Sequence, residues 1–265
     1  MNLKKGQLKE YINKEKDDSA LWLFHHIPKT AGSSLVVELS ANRPPYINIC
    51  IDYSPNISLS YEEKMQNVVE SFLEEKTKSK VRSASGHLSV SHFDTIMSKC
   101  KRAKAFTYMR HPIKRIISEY NYSCSTAHPS YQIFKEKYPT FEDYINDASS
   151  VNKHAFYMFG SKDLSPDDAI WQMTQKYHFI GLQDYYSKSF IILSNMLWEG
   201  SLPKAKERVA QNTSNKNTVL SEEVMDKIIR DNALDMALFT AVSRVYERIS
   251  DDIRSLEQAS FPIII

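Results

Sequence analysis

The sequence predicts an α/β fold, a parallel sheet flanked by helices on both faces. Three observations predict it. Short apolar runs alternate with segments of helical spacing or helix-opening chemistry. The composition, 42% hydrophobic and 25% charged over 265 residues, is that of a soluble globular chain long enough to bury a sizeable core. Glycine is scarce, at 6 residues, and one of the six follows the first apolar run where strand gives way to helix. In parallel sheets ligands sit at the carboxyl ends of the strands. The residues after positions 27, 87 and 109 therefore matter most.

Residues 1–18 read as a polar leader and 19–265 as a single domain. Leu21 to Ile27 is the first strand, Pro28 to Ser33 a turn, and Ser34 to Ser40 the start of a helix. Tyr46 to Ile51 is a second strand. Met65, Val68, Val69, Phe72 and Leu73 recur at helical spacing within 61–76. Val81 to His87 and Ala103 to Met109 are further strands, and Pro112 opens a helix at its favoured first position. Residues 121–168 read as mixed, aromatic-rich and loop-like, with short helices near 141–147 and 153–159. Phe179 to Gly181 is a last short strand. Helices follow near 184–198 and 221–249, the second broken at Asp231-Asn232.

Several function classes are excluded. No stretch approaches the roughly 18–20 apolar residues that span a bilayer. The leader carries five lysines and no apolar h-region, so it does not read as a signal peptide, and a cytoplasmic location is expected. Three scattered cysteines (Cys50, Cys100, Cys124) suggest neither a disulfide framework nor a metal site. A net charge of +2 gives no case for nucleic acid as a partner. The distribution says more: Lys99, Lys101, Arg102, Lys104, Arg110, Lys114 and Arg115 fall in one segment with no acidic residue. The rest of the chain is left with 27 basic against 32 acidic side chains. The positive potential is local and calls for an anion at one place.

Two segments carry the chemistry. Between strand and helix stands Pro28-Lys29-Thr30-Ala31-Gly32-Ser33-Ser34. Amides at a helix start, a glycine allowing close approach, a lysine and three hydroxyls make an anion cradle. The Walker A pattern is not met, because there the lysine follows the second glycine and here it precedes the only one. An ordinary strand–helix turn with a capping serine is the bland alternative. The second segment runs from Tyr108 to Tyr120. Arg110 ends a strand, Pro112 starts a helix, and Arg110, Lys114 and Ser118 share one side while Ile113, Ile116, Ile117 and Tyr120 pack inward. A guanidinium and a hydroxyl by a helix N-terminus suit a doubly charged phosphate. Its bland alternative is a solvated basic face with an Arg115–Glu119 surface pair.

Together these segments resemble the sulfotransferases that use 3′-phosphoadenosine 5′-phosphosulfate (PAPS). The first is similar to their 5′-phosphosulfate loop. The second is similar to their 3′-phosphate motif, whose arginine and serine lie eight positions apart, as Arg110 and Ser118 do. The resemblance is greatest to the branch of heparan sulfate 2-O-sulfotransferase and the carbohydrate O-sulfotransferases. Ser85-Gly86-His87, Phe156 to Gly160, Phe179 to Gln183 and Asn212 to Lys216 extend it over residues 20–250. It implies a fold related to P-loop nucleotide kinases, PAPS as donor, no metal, and in-line sulfuryl transfer to a hydroxyl. Lys29 would stabilise the leaving bisphosphate. Thr30, Ala31, Gly32, Ser33 and Ser34 would hold the 5′ end, Arg110 and Ser118 the 3′-phosphate, and Thr213 and Ser214 would lie in a segment closing over the nucleotide. Alternatives are a nucleotide kinase or a non-catalytic anion-binding module.

The acceptor needs a base. His87 follows a strand and a glycine, so its ring is expected at the strand's carboxyl end, and it matches the family's Gly-His position. Ser85 stands where the heparan enzyme has a second histidine, which puts a two-histidine mechanism in doubt. His25 and His26 alternate, so one is expected in the core and the other near the site. His111 is expected to orient the 3′-phosphate loop; His92, His128, His154 and His178 are expected to be surface or core residues, and Trp22, Trp171 and Trp198 core residues. The acceptor is expected to be a small molecule or weakly charged glycan, because residues 121–168, the expected acceptor wall, hold 4 basic and 7 acidic side chains. A bacterial cytosolic role in natural-product or cell-surface glycan synthesis is the expected setting.

Overall fold

A computed structural model describes residues 3–51, 60–201, 203 and 220–260. The chain opens with helix α1 (Leu8–Glu15), then strand β1 (Leu21–His25), α2 (Gly32–Asn42), β2 (Tyr46–Ile49), α3 (Tyr61–Lys78), β3 (Ser83–Gly86), α4 (Val90–Lys99), β4 (Ala103–Met109) and α5 (Pro112–Ser123). A run of short helices follows: α6 (Tyr131–Lys137), α7 (Phe141–Ile145), a single 3₁₀ turn at Ala148–Ser150, α8 (Lys153–Phe159) and α9 (Pro166–Lys176). Strand β5 (Phe179–Leu182) and the 3₁₀ turn Gln183–Tyr185 lead into α10 (Tyr186–Leu197). Helices α11 (Glu222–Asp231), α12 (Ala233–Arg248) and α13 (Ser250–Ser260) complete the described chain.

The five strands form one sheet in the order β2-β3-β1-β4-β5, and every pairing is parallel. β1 lies at the centre, with His25 opposite Gly86 on one side and Thr107 on the other. Each residue of β1, β3 and β5 is buried, as continuous cover on both faces requires. Helices α3, α4, α8 and α9 form one contiguous layer, and α1, α10 and α13 form another. Trp22, Leu23, Phe24 and Phe106 fill the main core, the rings of Phe24 and Phe106 stacked 5.0 Å apart. A second, smaller cluster gathers Ile116, Tyr138, Phe141, Tyr144, Ile145 and Ile228 beneath the helices that follow α5.

The strands are shorter than the apolar runs suggested. β1 ends at His25 rather than Ile27, and β3 covers Ser83–Gly86 rather than 81–87, because the flanking residues already leave the ladder to form the loops. The first crossover helix starts at Gly32, two residues early. Residues 121–168 are mostly helical rather than loop-like. α9 carries a full start signal, Ser165 accepting the Asp168 amide with Pro166 at the first position. The break at Asn232 is present because its side chain is used elsewhere: Nδ2 donates to the Ile228 carbonyl and Oδ1 accepts the amide of Asn152.

The segment read as a polar leader contains α1, whose Leu8 and Ile12 join the main core, and Leu3 is buried with them. Arg43 ties that segment down. It is wholly buried after α2 and donates to the carbonyls of Leu197, Asp17 (2.8 Å) and Ala20 (3.2 Å). Trp171, expected in the core, is 64% exposed on α9. No helix among the described residues is long and apolar enough to cross a membrane.

Candidate functional site

The loop after β1 is built by close contacts. Thr30 Oγ1 donates to the Ile27 carbonyl at 2.8 Å, and the His26 amide donates to the Gly86 carbonyl at 3.0 Å. Lys29 and Ala31 adopt φ of 70° and 74°, a left-handed conformation costly for residues with a Cβ. Such strain persists only where the surroundings fix it, and here a buried threonine does. Gly32 opens α2 because nothing larger fits: a Cβ there would lie 1.8 Å from His26 Nε2. Ala31 offers no side-chain cap, so the first amides of α2 keep their capacity for an anion. Ser33 is exposed and Ser34 buried.

Lys29 is half-buried, its ammonium 3.8 Å from the centroid of the Tyr122 ring. Burial, and then the charge of Arg110, push its pKa down to about 8. Arg110, at the end of β4, brings Nη1 to 3.4 Å from the Lys29 carbonyl. The two anion motifs of the sequence therefore meet. Lys114 pairs with Asp184 at 2.5 Å, and the same carboxylate accepts the His111 amide at 2.8 Å. A cavity of about 420 Å³ opens here, lined by Arg110, Lys114, Gln183, Asp184, Tyr186 and Ser187. The His111 ring packs against Phe239, 5.1 Å between ring centroids. Ser118 is half-buried on α5, between Lys114 and Tyr122 in the four-residue row.

The histidines separate cleanly. His25 is sealed in the core: Nε2 donates to the Leu88 carbonyl at 2.9 Å, so Nδ1 accepts from the Tyr177 hydroxyl at 2.7 Å. Burial pushes its pKa down to about 3. It belongs to the packing. His26 turns the other way, stacked on Phe24 and 4.0 Å from the His87 ring. His87 Nδ1 donates to the His26 carbonyl at 2.7 Å, which leaves Nε2 bare, and the residue keeps an exposed edge although protein crowds the rest of it. Loss of surrounding water and the charge of Lys29 hold its pKa below 6.5, against the opposing pull of the His26 carbonyl. Ser85 is buried and hydrogen-bonded to the Tyr46 hydroxyl at 2.6 Å. The second imidazole beside His87 comes instead from His26. Thr213 and Ser214 lie outside the described residues.

The central strand of a parallel α/β sheet thus ends in a lysine-bearing loop, faced by an arginine from the next strand, an arrangement suited to an anion. The profile of the Sulfotransferase family matches residues 16–240, and the chain belongs to that family. Among solved structures, mouse sulfotransferase SULT7A1 complexed with PAP is similar at 14% identity, with a TM-score of 0.40. The similarity covers 84% of this chain and 66% of that one, so this chain spans just under two thirds of that structure's length. No curated protein matches.

The sequence reading missed Tyr122, although the signal was there: it continues the row of Arg110, Lys114 and Ser118 by one more step of four. The Arg115–Glu119 pair is not a solvated surface pair: Arg115 is 1% exposed and Glu119 half-buried. Glu119 also binds Lys153 Nζ at 2.5 Å, joining α5 to α8. Burial alone would raise the pKa of Glu119; the charges of Arg115 and Lys153 outweigh it and bring the value to about 2. The sign follows: ionised Glu119 contributes stability above its ordinary 4.5, and that contribution is lost as pH falls through about 2. Glu119→Gln leaves the buried Arg115 and the half-buried Lys153 without their carboxylate and is expected to cost about 3 kcal/mol at neutral pH. Denaturant unfolding at pH 7 and near pH 3 checks this: the gap between wild type and variant must narrow in acid. An equal gap at both would rule out the charge as its cause.

Proposed function

We propose that the chain transfers a sulfuryl group from PAPS to a hydroxyl of a small metabolite or weakly charged glycan. The observation that carries the reading is the 3.4 Å approach of Arg110 to the Lys29 carbonyl, beside a histidine with a bare Nε2. The residues suit the donor. Lys29, Thr30 to Ser34 and the amides of α2 would receive the phosphosulfate end. Arg110, with Ser118 and Lys114 near it, would receive the 3′-phosphate, and Thr213 and Ser214 would close on the nucleotide. Among the described residues no group of three or more His, Cys, Asp or Glu side chains could hold a metal ion. The reaction as proposed uses none. Cytoplasmic residence is part of the same proposal.

The chain's own groups divide the work. His87 Nε2 removes the proton as the acceptor oxygen bonds to sulfur. The bond from sulfur to the bridging oxygen breaks, and the ammonium of Lys29 meets the charge left on that oxygen. Lys29 must be protonated and His87 neutral for this. The kcat/KM profile, which reports the free protein, is therefore expected to be bell-shaped. It rises through a group below 6.5 (His87) and falls through a group near 8 (Lys29). His87→Ala is expected to lower single-turnover transfer by at least about 10²-fold, remove the rising limb and leave nucleotide affinity intact. A destabilised but fully active His87→Ala would transfer the role to His26, since His25 is sealed away.

The acceptor side supports a substrate of low charge. In the 121–168 segment Lys137 and Lys153 are already paired, with Asp147 and Glu119. A cavity of about 280 Å³ there is lined by Ile133, Phe134, Tyr138 and Tyr144 together with polar residues, among them these same two paired lysines. A sulfated polymer would need free cations along that wall. Heparan and chondroitin chains are expected to show no turnover above background; efficient turnover, weakening steeply with salt, would contradict this.

A further inference from the structure

We infer that His154 is a positioning residue for Arg110, held in a single tautomer by Asp235, and that this pair sets discrimination for the 3′-phosphate. The inference rests on the reading of Arg110 given above and adds a residue to it.

His154 and Asp235 are both 0% exposed. The Arg110 amide donates to His154 Nε2 at 3.3 Å. An amide can only donate, so Nε2 must be the bare nitrogen and the proton must sit on Nδ1. Nδ1 lies 2.9 Å from Asp235 Oδ2, which accepts it. The same oxygen accepts the His154 amide at 2.9 Å, and Oδ1 accepts the Ala155 amide at 2.9 Å. Asp235 therefore meets only donors, and a carboxylate is the group of its size that can accept from all of them. The hydrogen bonds from His154 and the charge of Arg115, against the opposing effect of burial, hold its pKa below the ordinary carboxylate value.

The pair is itself fixed. The Asp235 amide donates to Asn152 Oδ1 at 3.1 Å, and Asn232 Oδ1 accepts the Asn152 amide at 2.8 Å. Helices α8 and α12 thus cap one another's first turns, 80 residues apart in sequence. The next residue along α8, Lys153, is bound to Glu119. Everything that could let His154 rotate is occupied. Arg110 follows β4 and precedes Pro112, where the backbone leaves both ladder and helix. The contact with His154 settles where that backbone, and the guanidinium it carries, comes to rest.

Calorimetry with adenosine 3′,5′-bisphosphate and adenosine 5′-monophosphate, which lacks the 3′-phosphate, tests the role. The wild type is expected to prefer the bisphosphate strongly, and Arg110→Ala sets the reference for a lost preference. His154→Leu is expected to lower that preference about tenfold, the worth of one hydrogen bond of this kind, with the monophosphate changed less than about twofold. His154→Gln, whose Oε1 can accept the Arg110 amide, is expected to recover most of it. A general loss of structure would weaken both nucleotides alike and would not be rescued by glutamine. Should His154→Leu fail to fold, ¹⁵N spectra of the wild type still decide: the His154 ring must be protonated at Nδ1 and bare at Nε2. The reversed tautomer, or an unchanged preference in His154→Leu, overturns the inference. A wild type that does not prefer the bisphosphate overturns the donor reading itself, and the role of His154 falls with it.

Discussion

Parallel pairing of β1 between β3 and β4 is the constraint on which the site depends. Because all three strands run the same way, their carboxyl ends reach one edge, and His25 stands level with Gly86 and Thr107. The lysine loop, the histidine after β3 and the arginine after β4 then emerge side by side. The approach is tight. A Cβ on Gly86 would lie 2.6 Å from the Ile49 carbonyl oxygen, so β2 and β3 close up only because that position is glycine. The His26 amide then reaches the Gly86 carbonyl, and the His26 carbonyl receives His87. A local sequence requirement becomes the mutual placement of the two motifs.

That placement gathers like charges. Lys29, Arg110 and Lys114 converge on one end of the sheet, and their repulsion must be met. Asp184 meets Lys114, and the face of Tyr122 meets Lys29. Glu119 also helps to keep Lys29 charged, although it is bound to Arg115 and Lys153. Burial, and then the charge of Arg110, nevertheless hold Lys29 below its ordinary pKa. The imidazoles beside it are held towards the neutral form. Such an arrangement suits the multiply charged donor proposed above, which would supply countercharge, with a neutral imidazole alongside.

Much of this was legible from local chemistry. The apolar runs at 21–27 and 103–109, the proline at 112 and the lysine–glycine loop each announce a strand, a helix start or an anion site within a few residues. Their boundaries shifted only where residues turn out of the ladder into the loops. The start of α9 was equally readable in Ser165-Pro166-Asp167-Asp168, but the aromatic content of the surrounding segment masked it. Those aromatics form a core of their own. What could not be read were partnerships across long separations: Arg43 with Leu197, Asn152 with Asn232, and His154 with Asp235. No spacing rule pairs residues 81 apart. His154 in particular reads as an ordinary core histidine until the fold supplies both of its hydrogen-bond partners.

The central claim is that two anion motifs form one site for a nucleotide carrying both a 3′-phosphate and a 5′ group. The most direct measurement is calorimetry of the free protein with adenosine 3′,5′-bisphosphate against ATP with Mg²⁺. Tight, metal-independent binding of the bisphosphate and a much weaker response to ATP–Mg²⁺ are expected. Preference for ATP–Mg²⁺ would contradict the claim and return the fold to the kinase reading that the position of Lys29 argues against.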